Sequence, residues 1–248
     1  MHGKSVVVTG GTRGIGLAIV EAFVREGARV VVGARSPSPR LRELGATFVA
    51  TDVRSEAEVE ALVERTCTLH GQLDVMVNNA GVSIWRRLEA VDEDFFRRLV
   101  DTNLLGTLWG CKAAAARMLP GGAIVNVASL AGKRGSANNS VYCASKFGVV
   151  GLTQALAKEL GPRGIRVNAV CPVYVRTETL LANLGGDHPA RPERDPHGFL
   201  DRFAQENAAL GRLPEAAEVA AACLFLASDA ASAITGQSIH VDCGTVPT

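Results

Sequence analysis

The sequence predicts an α/β protein built around a parallel sheet, and three observations carry that expectation. Short apolar runs rich in β-branched residues alternate with longer stretches of helical pattern, the rhythm of βα units. Two of the runs, Val6-Val7-Val8 and Val30-Val31-Val32, are apolar without interruption, as strands buried on both faces of a parallel sheet should be. A glycine-rich turn, Thr9 to Gly16, separates the first run from the first helical stretch.

Strands are expected over Ser5–Thr9, Arg29–Gly33, Thr47–Ala50, Leu73–Asn78, Ala123–Ala128, Ile165–Cys171 and Ser238–Val241. The first helix, Gly14–Glu26, opens out of the glycine turn and stops before Gly27, a fitting C-terminal glycine. Ser55–His70 begins with Ser55 and Glu58 at the spacing of a capping box. Asp92–Met118 and Ser140–Leu160 are long enough to cover the sheet, and alanine-rich Pro214–Leu226 has its proline where a helix start tolerates one. Ser36–Leu44 leaves room only for a stub of helix. With no repeat and no interdomain linker, residues 1–248 read as one domain. Asn183–Asp201, with Pro189, Pro192, Pro196, Gly185 and Gly186, breaks the rhythm and reads as a functional lid or a disordered insertion. The lid as a whole is expected over residues 174–208.

The bulk numbers exclude several classes. Over 248 residues the chain is 47% hydrophobic and 21% charged, with a formal net charge of +1. Nothing in that balance calls for nucleic acid or an anionic membrane as partner. No apolar run is long enough to span a membrane, and Met1-His2-Gly3-Lys4 runs straight into a strand, so the expected location is cytoplasmic. Six scattered cysteines without a CxxC pair read as small core residues in a reducing compartment. His188 and His197 lie in the irregular segment without a ligand cluster, so no metal site is expected and a metal-dependent hydrolase is disfavoured.

The turn Thr9-Gly10-Gly11-Thr12-Arg13-Gly14-Ile15-Gly16 has the chemistry of a phosphate cradle. Its glycines permit close backbone approach, and the following helix presents free N–H groups and a positive end to an anion. At the end of the second strand, where dinucleotide folds read the adenosine ribose, an acidic residue would favour NAD. Here stand Ala34 and Arg35, with Arg13 in the glycine turn and hydroxyls at Thr12 and Ser36. Two guanidinium groups without a carboxylate suit a 2′-phosphate, so NADP is the expected cofactor, with NAD as the alternative.

Tyr142 and Lys146 stand four residues apart, on one face of a helix. Acid–base work by a phenol near pH 7 needs a fall of about three units from its free pKa, roughly 4 kcal/mol, which a nearby cation can help to supply. Ser129, just after a buried strand, points toward the crevice where α/β sheets bind ligands and is placed to hold a substrate oxygen. Asn103 lies inside a helical stretch, where a short amide is unfavourable; it reads either as a satisfied buried amide or as an anchor for water in a proton path.

These motifs, together with Asp52-Val53, Asn78-Asn79-Ala80-Gly81 and Pro172, resemble the short-chain dehydrogenase/reductase family from about Lys4 to Gly244. The resemblance implies a Rossmann-type, doubly wound, seven-stranded parallel sheet with helices on both faces, and a homotetramer or homodimer. It implies that Tyr142 transfers the proton, Ser129 orients the carbonyl or hydroxyl, Lys146 binds the nicotinamide ribose and lowers the tyrosine pKa, and Asn103 supports a water relay. Gly10, Thr12, Arg13, Gly14, Ile15 and Gly16 would hold the pyrophosphate region, with Arg35 and Ser36 beside the ribose. Asp52 and Val53 would contact adenine, Asn79, Ala80 and Gly81 would flank its ribose, and Pro172, Val175 and Thr177 would hold the nicotinamide end. The substrate would be a small carbonyl or alcohol. One departure stands out: Val173 follows Pro172 where the family often has glycine, so that loop is expected to run differently. The alternatives are a β-ketoacyl-acyl-carrier-protein reductase, docking through Arg86, Arg87, Lys133 and Arg134, an NAD-dependent metabolite dehydrogenase, and a dinucleotide-binding sensor without turnover.

Overall fold

A computed structural model describes residues 1–185 and 195–247. Its sheet is parallel and seven-stranded: β1 (Ser5–Thr9), β2 (Arg29–Ala34), β3 (Thr47–Ala50), β4 (Val75–Asn78), β5 (Ala123–Val127), β6 (Arg166–Pro172) and β7 (Ser238–Val241). The spatial order is β3-β2-β1-β4-β5-β6-β7. The chain winds one way from β1 to β3 and the other way from β4 to β7. A crevice therefore opens where the direction reverses, at the carboxyl ends of β1 and β4.

The helices are α1 (Gly14–Arg25), α2 (Pro39–Glu43), α3 (Glu56–His70), α4 (Glu93–Val100), α5 (Gly106–Arg117), α6 (Ser140–Leu160), α7 (Glu178–Gly185), α8 (Pro196–Asn207) and α9 (Ala216–Ala227). The uninterrupted valine runs are explained by two cores. Val6 and Val8 point into one with Ile19, Phe23 and Leu226 of α1 and α9. Val7 points into the other with Leu62 of α3, Cys111 of α5 and Ile124. Alternate residues face opposite sides, so a strand covered on both must be apolar throughout. The cysteines are all free; four are buried and Cys67 and Cys243 are half-buried.

Three expectations need correction. The single helix expected over Asp92–Met118 is broken by a π-helical turn, Asp101–Leu105, between α4 and α5. The hydroxyls of Thr102 and Thr107 donate to the carbonyls of Arg98 and Asn103, four residues back, each at 2.8 Å. That competition bends helices, and the wider turn accommodates it. Secondly, the capping box at α3 is half formed: Ser55 Oγ accepts from the Glu58 N–H at 3.3 Å, but the Glu58 carboxylate accepts from the Asp52 N–H at 2.7 Å. Thirdly, the Asn183–Asp201 segment is not irregular at its ends. It continues α7 to Gly185 and enters α8 through Asp195, whose carboxylate accepts from the N–H groups of His197 and Gly198 at 3.0 Å. The remainder of that expected lid, residues 186–194 with His188, lies outside the described residues.

A buried polar row crosses the centre. Asn78 Nδ2 donates to Asn126 Oδ1 at 2.9 Å, and Asn126 Nδ2 donates to Thr153 Oγ1 of α6 at 3.0 Å. Helix α5 closes over this row through Gly110, where an added Cβ would sit 1.9 Å from Asn78 Oδ1. Because Asn78 is held by its partners, Gly110→Ala should destabilise the fold by roughly 1–3 kcal/mol. Thermal unfolding checks this, and an unchanged melting temperature would show that the row yields freely.

Candidate active site

The site begins with a clamp between two strand ends. The Thr9 hydroxyl accepts from the N–H groups of Asn79 and Ala80, both at 3.1 Å. The Asn79 amide donates back to the carbonyls of Thr9 and Gly10 at 2.9 and 3.2 Å. This fixes the glycine turn against the loop after β4. Gly10 and Gly14 adopt positive φ, 67° and 55°, and a Cβ on Gly16 would sit 2.3 Å from the Gly10 carbonyl oxygen. Side chains at these positions would fill the cradle. Arg13 stands at the N-cap of α1 without a capping hydrogen bond, so no side chain covers the first-turn N–H groups that an anion would engage. The residues present fit a dinucleotide.

Every cofactor-contact residue expected from the sequence lines one cleft of about 1470 Å³, and so do Ser129, Tyr142 and Lys146. Asn103 does not, because it is fully buried behind the cleft wall. At one end of the cleft Ala34 is buried at the end of β2, and Arg35 and Arg13 are exposed on the rim. Sequence reasoning missed Arg54. Its guanidinium and N–H engage both oxygens of Asp52, with Nη2 at 2.6 Å from Oδ2, and hold that carboxyl below its ordinary pKa. The signal was present two residues from Asp52, but spacing alone does not reveal an ion pair.

At the opposite end, α6 places Tyr142 and Lys146 one turn apart. Lys146 is buried, with Nζ donating to the Val127 carbonyl at 2.9 Å and lying 5.9 Å from the Tyr142 ring centre. Burial pushes its pKa down to about 8. Gly81 leaves room for Asn103, since a Cβ there would lie 3.2 Å from Asn103 Oδ1. The phenol of Tyr142 shares the cleft wall with Ser129 and Ser83. Burial raises its pKa, and the two hydroxyls oppose that rise. In the chain alone the phenol thus sits above its ordinary value, opposite in direction to the fall the sequence argument asked for. Ser83 was not anticipated; it lies just past the Asn78–Gly81 motif, and nothing local marks it as part of the cleft wall.

Asn103, in the π-helical turn, is saturated. Its Oδ1 accepts from the Val82 N–H at 2.8 Å, and its Nδ2 donates to the Val82 carbonyl at 2.9 Å and to Ser145 Oγ at 3.1 Å. Ser145 Oγ in turn donates to the Tyr142 carbonyl at 2.7 Å. These are the hydrogen bonds of a satisfied buried amide.

Beyond the tyrosine the cleft is aromatic. Tyr174 meets Phe199 and Phe203 edge to face, with ring centres 5.9 and 4.9 Å apart. Val173 packs into this cluster with Leu180 and Leu181. Its backbone avoids positive φ and its N–H donates to the Val241 carbonyl at 3.4 Å, so the loop continues the β6–β7 pairing. Arg86 is engaged internally, 3.0 Å from Asp92 and over the Phe95 ring, which removes it from any free basic patch. Among the described residues no helix is long and apolar enough to cross a membrane.

Comparison with known proteins agrees with this geometry. A family model described as enoyl-(acyl carrier protein) reductase matches residues 10–246. The chain is 40% identical to momilactone A synthase of Oryza sativa subsp. japonica, over 98% of this chain and 89% of that protein. It is 37% identical to D-threitol dehydrogenase of Mycolicibacterium smegmatis, over 98% and 93%. The crystal structure of levodione reductase superposes with a TM-score of 0.91 at 32% identity, covering 98% of both chains. A glycine cradle at the sheet's switch point, a Tyr–Lys pair one helical turn apart and relatives named as dehydrogenases and reductases converge: the chain belongs to the short-chain dehydrogenase/reductase family, oxidoreductases that act on CH–OH and C=O groups with a nicotinamide dinucleotide.

Proposed function

We propose that the chain is an NADP(H)-dependent oxidoreductase that moves a hydride between the nicotinamide and a ketone or secondary alcohol, with Tyr142 as the acid–base group. The observation that carries this reading is a single cleft with Tyr142, Ser129 and Lys146 at one end and Arg13 and Arg35 at the other. When bound, the nicotinamide supplies or accepts the hydride. Ser129 holds the carbonyl oxygen by a hydrogen bond, and Tyr142 gives that oxygen its proton. Lys146 stabilises the charge left on the phenol oxygen. A phenol pushed upward by burial is protonated at neutral pH, the form that reduction of a ketone requires. Lys146, at about 8, still carries its charge at pH 7. The aromatic wall of Tyr174 and Phe199 supports an apolar body on the substrate, covered by α7 and α8 as a lid.

At the other end, an NADP 2′-phosphate carries roughly −2 in charge at neutral pH. Arg35 and Arg13 stand where it would lie, and Ala34 offers no carboxylate to repel it. Asp52, an acid lining the same cleft, is already paired with Arg54 and feels Arg35 as well.

Tyr142→Phe keeps the ring and removes the proton, so kcat should fall by about 10²-fold or more while cofactor affinity, read by fluorescence titration, stays near wild type. Substantial turnover by that variant would remove Tyr142 from its role. For pH, the working form pairs a neutral phenol with a charged Lys146. As pH rises through about 8 the ammonium loses its proton, so kcat/KM for reduction should be level near pH 7 and decline above 8. A profile level to pH 9.5 would contradict this. Cofactor choice is tested on one ketone with both dinucleotides. Wild type should prefer NADPH, and Ala34→Asp with Arg35→Leu should weaken NADPH about tenfold or more. A wild-type preference for NADH would overturn the NADP assignment and leave the hydride chemistry standing.

A further inference from the structure

We infer that Asn139 recognises the substrate: its carboxamide oxygen accepts a hydrogen bond from a hydroxyl on the carbon next to the one that reacts. The cleft then selects vicinal diols, and the matching hydroxy ketones, that carry an apolar body. This rests on the proposed alcohol–ketone chemistry and names the substrate class for it.

Asn139 lines the same cleft as Ser129 and Tyr142, yet it is only 4% exposed. Its Oδ1 is buried and meets no hydrogen-bond donor among the described residues. Buried amides are nearly always hydrogen-bonded, and one left without a donor costs stability. Two other buried side-chain oxygens share this condition, Asn78 Oδ1 and Ser238 Oγ, and neither residue lines the cleft. Asn139 stands at the N-cap of α6, where an asparagine ordinarily accepts from a first-turn N–H; here its side chain makes no capping bond. The local fold thus leaves this oxygen unused.

The backbone around it is held. Asn138 turns through the left-handed region at φ 58°, and its carbonyl accepts from the Arg86 N–H at 2.9 Å. The Asn139 carbonyl accepts from the Cys143 N–H, also at 2.9 Å, which opens the helix. Asn139 therefore sits one turn before Tyr142, and residues three apart on a helix stand roughly 5–6 Å apart at Cβ. That spacing suits a substituent one carbon from the carbon whose oxygen meets the phenol. Rotation of the carboxamide about χ2, a soft torsion, brings its oxygen to the ligand. An acceptor without a donor selects a group that brings one, a hydroxyl or an N–H. Arg134, exposed on the same cleft, disfavours an ammonium in that role, which leaves the hydroxyl. The cluster of Tyr174, Phe199 and Phe203 takes the apolar remainder.

The test compares 1-phenylethane-1,2-diol with 1-phenylpropan-1-ol, in which a methyl replaces the second hydroxyl. Binding is measured by calorimetry on the protein in complex with the reduced dinucleotide, where an alcohol binds without reacting. Oxidation is then measured as kcat/KM with the oxidised dinucleotide. Wild type should favour the diol by about fivefold or more in both. Asn139→Leu, which keeps the shape, and Asn139→Ala should each bring that ratio to about twofold or less. Asn139→Asp keeps acceptor oxygens and loses the amide donor, so it should retain the preference. Equal binding of the two alcohols by wild type, as when water alone serves the carboxamide, overturns the inference, and so does binding of neither. A preference that survives in both Asn139→Leu and Asn139→Ala, or is lost in Asn139→Asp, overturns it as well. If the diol is preferred in binding through Asn139 but neither alcohol is oxidised, the proposed function fails and the recognition stands. If both are oxidised with equal efficiency, the function stands and the recognition fails.

Discussion

The grip of Asn103 on the Val82 peptide is the constraint on which the rest of the site depends. A single buried amide ties three elements that are distant in sequence: the loop after β4, the bend between α4 and α5, and, through Ser145, the turn of α6 that carries Tyr142. Burying an amide without partners costs a few kcal/mol, so each of these bonds must be made and none can drift independently. The π-helical turn is the local deformation that lets Asn103 reach them. π-Turns inside α-helices are often found at functional sites, and here the reason is visible in the hydrogen bonds.

The sheet's reversal between β1 and β4 supplies the space, and the two ends of the resulting cleft differ in chemistry. The end beside β2 is cationic and exposed, with Arg13, Arg35 and Arg54 around one paired carboxylate. The far end is apolar and aromatic, and the electrostatics of buried Lys146 and half-buried Tyr142 act there in a lower dielectric than water. The same desolvation that strengthens those interactions also depresses Lys146 and raises Tyr142.

Much of the fold was legible because its signals are local. The valine runs marked β1 and β2, Gly27 marked the end of the first βα unit, and Ser140–Leu160 was bounded correctly by its pattern. What pattern could not show was competition between local preferences. A periodic stretch from Asp92 to Met118 looks like one helix, and only the hydroxyl back-bonds of Thr102 and Thr107 with the tertiary grip on Asn103 break it. Glu58 fits a capping box with Ser55, yet its carboxylate serves Asp52 instead. Val173 looked like a conflict with a positive-φ turn, and the backbone avoids that turn altogether.

The sequence by itself determined the parallel α/β architecture, the glycine cradle and the presence of a Tyr–Lys pair on one helix face, because each follows from residues adjacent in the chain or one turn apart. Tertiary structure alone decided what surrounds those groups. Asn103 reaches Val82 from 21 positions away, and Asn183 reaches the Ser83 carbonyl across 100. The direction in which burial moves each pKa likewise depends on how densely other elements pack around Tyr142 and Lys146. Desolvation is a property of the assembled cleft, and no spacing within a strand or helix encodes it.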